Sequence, residues 1–102
     1  MYLIEILLPV YDNEGRPFGA DAFDRVRNEL ANRFGGVTAF QRAPAEGVWK
    51  ETGGGVSRDQ IVIFEVMAEK LERAWWADFR RELERRFRQD EIVVRATSFE
   101  RL

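Results

Sequence analysis

The chain has 102 residues, 16 of them basic and 18 acidic, with a formal net charge of -2, no cysteine and no histidine. Near-neutral charge removes the whole-molecule field that draws proteins to nucleic acid, and the missing cysteine removes disulfides, thiolate metal sites and cysteine nucleophiles. Without histidine, an enzyme built on this chain works with carboxylates, Lys, Arg, Tyr or Ser, and neither a metal nor a cofactor is expected.

A length near 100 residues suits one domain, and residues 1–102 are read as a single unit. The opening run MYLIEILLPV is apolar from Tyr2 to Leu8 and stops at Pro9. It lacks a basic leader and falls far short of the roughly 20 residues that span a bilayer, so the expectation is a soluble, cytoplasmic protein with no membrane partner. Such a run reads as a strand apolar on both faces, except that Glu5 sits at its centre.

The stretch YDNEGRPFGAD collects turn formers, and its acids lack the alternate spacing and distal Glu of a calcium loop. Asp21 is placed to cap a helix with Asp24 in its first turn. Phe23, Val26, Leu30 and Phe34 then recur on one stripe, which predicts a helix from about Asp21 to Phe34, ended by Gly35 or Gly36 in the left-handed conformation. VTAFQR, RAPAEG and GVWKE read as an extra hairpin over 37–51. The trio Gly53 to Gly55 reads as a flexible connection, lacking the strand-to-helix context of a phosphate loop.

Gln60 to Met67 is a second strong strand, with Glu65 in its middle. Leu71, Trp75, Phe79, Leu83 and Phe87 fall four apart on a longer helix, from about Lys70 to Arg88, whose other face mixes Glu and Arg as a solvated, ion-paired surface. Trp75 is assigned to the core, and Trp76 to the edge of the stripe, under a loop or at an interface. EIVVRATSF closes the chain as a last strand.

This order predicts an α+β, ferredoxin-like split βαβ sandwich: an antiparallel sheet with two helices on one face, the first and third main strands central and the last strand beside the first. Because side chains alternate across a strand, Ile4, Ile6, Leu8, Val62, Phe64, Val66, Ile92, Val94 and Ala96 should face the helices. The open face then receives Leu3, Glu5, Leu7, Ile61, Ile63, Glu65, Met67, Val93, Arg95 and Thr97. Two acids and one arginine are expected side by side among aliphatics, a surface better covered by a second subunit than left in water. Acids at its centre would repel a phosphate backbone, so no nucleic-acid partner is expected there.

The segments FGGVTAFQRAPAEGVWK and DQIVIFEVM, with the tandem Trp75 and Trp76, resemble a group of small bacterial proteins of unknown function. That resemblance implies a ferredoxin-like domain of the dimeric α/β barrel type and hands over no catalytic residue. The functional expectation is therefore a homo-oligomer, a dimer or higher, assembled through its sheet face with an enclosed space able to hold a small molecule. The alternative is a cofactor-independent small enzyme with Glu5 or Glu65 as general base and Arg95 stabilising developing negative charge. Glu5, Glu65 and Arg95 are the candidate ligand-binding residues, and Arg42, Trp49 and Lys50 could line a pocket mouth.

Overall fold

A computed structural model describes residues 1–42 and 60–102. In chain order the described elements are β1 (Tyr2–Pro9), α1 (Ala20–Phe34), β2 (Thr38–Arg42), β3 (Ile61–Ala68), α2 (Arg73–Arg86) and β4 (Val94–Ser98). The strands form an antiparallel sheet in the order β2-β3-β1-β4, with β1 and β3 central, the ferredoxin-like arrangement that the alternation of elements predicts. Of the hairpin expected over 37–51, the first strand is β2; the remainder lies outside the described residues.

Alternation along the central strands decides what is buried. Ile4, Ile6, Leu8, Phe64 and Val66 are each at most 2% exposed, and they join Val26 and Leu30 of α1 and Phe79, Leu83 and Phe87 of the second helical region in one apolar cluster. No buried residue there carries a charge. Removal of this surface from water is the main source of stability, about 2 kcal/mol for each large side chain fully withdrawn.

The helix ends depart from the sequence reading in small, explicable ways. The N-cap of α1 is Gly19, so Asp21 lies inside the first turn, where a carboxylate is favoured by the helix dipole. Gly35 ends α1 with φ 76°, and its N–H bonds to the carbonyl of Ala31, as a left-handed C-terminal glycine should. α2 is shorter than the apolar spacing suggests, leaving Leu71 ahead of it. Between β1 and α1 the Asp12 carboxylate accepts the backbone N–H groups of Glu14 and Arg16, both at 2.9 Å, and thereby closes the turn. These bonds, Arg16 first, hold the Asp12 carboxyl below its usual range.

The tandem tryptophans exchange their expected roles. Trp76 is 6% exposed and belongs to the core cluster, whereas Trp75 is only half-buried. On the α1 side the Phe34 ring stacks on Trp76 with centroids 5.3 Å apart. Trp75 stands edge-on to Phe34, with the Arg33 guanidinium 4.2 Å from its ring centre on the outside. A stripe counted in fours favoured Trp75, but i, i+3 and i, i+4 neighbours share a helix face, and the buried set Trp76, Phe79, Leu83 and Phe87 uses both intervals.

The polar side of α2 is ion-paired as expected, through Arg80 with Glu84, Arg81 with Asp78 and Arg85 with Glu82. Arg86 crosses to α1 and donates to both carboxylate oxygens of Glu29 at 2.8 Å, an interaction that raises its pKa further. Glu84 also accepts the N–H of Ile92, which fixes the approach to β4.

Candidate functional site

The ladder registers bring the sequence-predicted charges together. Glu5 lies directly opposite Glu65 across β1 and β3, and directly opposite Arg95 across β1 and β4; Thr38 of β2 lies opposite Glu65. Thr38, Glu65, Glu5 and Arg95 therefore form one row across all four strands of the described sheet. Apolar positions flank it. On one side stand Met67 and Leu3, on the other Ile63 and Leu7, with Val93 beside Leu7 through a backbone bond from Leu7 N–H to the Val93 carbonyl.

Facing side chains in such a ladder lie about 5 Å apart at Cβ, close enough for two like charges to repel. The arginine relieves one of them: Arg95 Nε donates to Glu5 Oε1 at 3.0 Å, with the Glu5 side chain 17% exposed and that of Arg95 49%. Glu65 is half-buried, and its carboxylate has no hydrogen bond or ion pair among the described residues. The row thus carries one neutralised and one uncompensated carboxylate. Glu65 also lines a hollow of about 660 Å³ together with Leu3, Thr38, Met67 and Arg101. An acceptor-only group in such a place suits a cationic or proton-donating partner.

The aliphatic surround is unevenly covered. Met67 and Val93 are 53% and 49% exposed, but Ile63, expected on this bare face, is 1% exposed while standing outside the helix-side cluster. The Leu7–Ile63 part of the face is accordingly more closed than the Leu3–Met67 part, where the hollow lies. Alternation placed Ile63 on the correct face and could not report its burial, which depends on neighbours remote in sequence.

The other candidates stay apart from the row. Arg42 is the last residue of β2, paired with Ile61, four residues from Thr38 and so roughly 13 Å along the strand. Trp49 and Lys50 lie outside the described residues. Thr38 and Arg101 were not singled out from sequence: Thr38 reaches the row only through the β2–β3 register, and Arg101 follows the last strand in a stretch without periodic pattern.

On the helix side, Ala96 was expected under a helix and is instead exposed, as is Ser98. Their side chains are too short to fill the space beside α2, and a groove of about 510 Å³ runs between α2 and β4. Trp76 lines it, and its buried indole N–H has no hydrogen-bond partner among the described residues.

Among the described residues no helix is long and apolar enough to cross a membrane. No protein-family model and no curated protein matches the chain. Among solved structures, a phage SAM lyase in complex with S-methyl-5'-thioadenosine is similar, with a TM-score of 0.58, 12% identity, and coverage of 94% of this chain and 79% of that one. At that identity the likeness shows the fold: an α+β, ferredoxin-like chain whose elements follow the same path as those of a small enzyme.

Proposed function

We propose that this chain, folded as a single domain, self-associates through the open face of its sheet and that the assembly holds a small molecule over the row Thr38, Glu65, Glu5 and Arg95. The observation that carries the reading is Glu65, a half-buried carboxylate without a partner, set in an aliphatic face and lining a hollow. A carboxylate in such surroundings is stabilised by an opposite charge or a donor, and a bound ligand supplies one. Exposed Met67 and Val93 supply apolar surface for a second copy beside it.

Over the Glu65 carboxylate a cationic group fits better than an anionic one, with Arg101 lining the same hollow. The similar phage enzyme acts on SAM, a sulfonium, and that chemistry is what we carry to this chain as a candidate. In an enzymatic version Glu65, uncompensated, is the general base, and Glu5, fixed by Arg95, shapes the charge around it.

Light scattering after gel filtration at micromolar concentration, with calorimetric titration of SAM and of S-methyl-5'-thioadenosine, tests both halves. The expected results are a dimer or larger and saturable binding that Glu65→Gln abolishes. A monomer that binds neither compound overturns the proposal. Release of S-methyl-5'-thioadenosine from SAM, measured by chromatography and lost in Glu65→Gln, would establish the enzymatic version.

A further inference from the structure

The groove between α2 and β4 lies on the opposite side of the sheet from the acidic row, and its chemistry is the reverse. Arg73, Arg80 and Arg95 line it and no carboxylate does, although the Arg95 guanidinium is turned to the other face, where it binds Glu5. Arg80 is held by Glu84 at 3.1 Å and Arg95 by Glu5 at 3.0 Å, so two of the three cations are balanced from outside the groove. Arg73, the first residue of α2, has no ion-pair partner among the described residues.

Two further groups lining the groove are without partners. The Trp76 indole can only donate, and its N–H is buried without an acceptor. The Tyr2 hydroxyl has no hydrogen bond among the described residues. Ile4, Val94 and Ala96 give the floor an apolar character. The groove is therefore lined by donors, by two hydroxyls that can donate or accept and by no carboxylate, which suits an anion carried on an apolar body.

We propose that this groove is a second binding site, for a small organic anion bearing one carboxylate or phosphate. Arg73 supplies the charge-assisted hydrogen bonds, and the aliphatic floor takes the ligand's apolar part. The indole N–H of Trp76, which lines the groove without an acceptor, supplies the inner donor. Because its charge comes from Arg73 and not from Arg95, whose side chain belongs to the acidic row, this site stands or falls independently of the function proposed above.

The test follows the indole N–H resonances of protein labelled with 15N-tryptophan, with that of Trp76 assigned by its disappearance in Trp76→Phe. Phenyl phosphate and benzoate are the anionic probes, and phenol is the neutral control. Saturable movement of the Trp76 resonance with either anion is expected, and whichever anion binds more tightly identifies the headgroup. Arg73 is an exposed residue whose replacement leaves the core intact, and Arg73→Met should weaken binding on the order of tenfold through loss of the charged donor. An unsaturated, linear shift, an Arg73→Met titration matching the parent, or phenol binding as well as phenyl phosphate would each overturn the site.

Discussion

The two faces of the sheet are made by the same strands, residue by alternate residue, and they end in opposite states. Toward the helices, Ile4, Ile6, Leu8, Phe64 and Val66 are sealed and uncharged. Away from them Ile63 is sealed, but Leu3 and Leu7 are half-buried, Met67 and Val93 are exposed, and a row of charge runs through the middle. A face packed by its own chain needs no polar groups, whereas a face covered by a partner, as we propose for the open side, keeps groups that specify how the partner sits. The difference separates stability, which resides on the helix side, from recognition, which we assign to the open side.

The largest expected effect is on the sealed face. Phe64→Ala should cost about 3 to 5 kcal/mol in chemical denaturation, because a side chain with no exposure leaves a cavity that its neighbours only partly fill. A loss near 1 kcal/mol would mean that this face is as loosely packed as the other, and the contrast would be gone.

Arg95→Met tests whether the open face is covered in solution. With Glu5 withdrawn from water by a second copy, loss of its partner should cost about 3 kcal/mol, and replacing Glu5 and Glu65 by Gln in that background should restore part of it. On a bare sheet the same pair contributes at most about 1 kcal/mol. A melting temperature within a degree or two of the parent, monitored by circular dichroism, would leave the row a solvated feature.

Arg86→Met probes the brace between the helices, which lies away from both sheet faces. Removing its two bonds to Glu29 and its bond to Glu82 should cost about 1 to 2 kcal/mol, moderated because Arg25 also stands 3.5 Å from the Glu29 carboxylate and Arg85 also pairs with Glu82. It should leave the oligomeric state unchanged, and dissociation on gel filtration would place the interface on the helices instead.

The smallest effect belongs to the β1–α1 turn. Asp12 is held below its ordinary 3.8, chiefly by the Arg16 N–H, so its contribution to stability is present above that value and fades as pH falls through the lowered folded one. Asp12→Asn should therefore be slightly less stable than the parent at neutral pH and converge with it in acid, as followed by denaturation across a pH series. A gap that persists at the lowest pH would point to the turn's geometry instead of its charge.

Strand alternation, turn chemistry and helix stops were legible in the chain because each is a local property. Period two put Glu5, Glu65 and Arg95 on one face, Pro9 and Gly35 ended their elements, and the order of elements selected a ferredoxin-like sheet. Only the tertiary structure decided which of these residues meet. Registers between strands distant in sequence, with Glu5 and Arg95 ninety residues apart, aligned the acids with Arg95 and brought in Thr38, packing against the core selected Trp76 over Trp75, and the short side chains of Ala96 and Ser98 opened a groove. Such outcomes depend on side-chain volume and on contacts between elements distant in sequence, and a one-dimensional pattern carries neither.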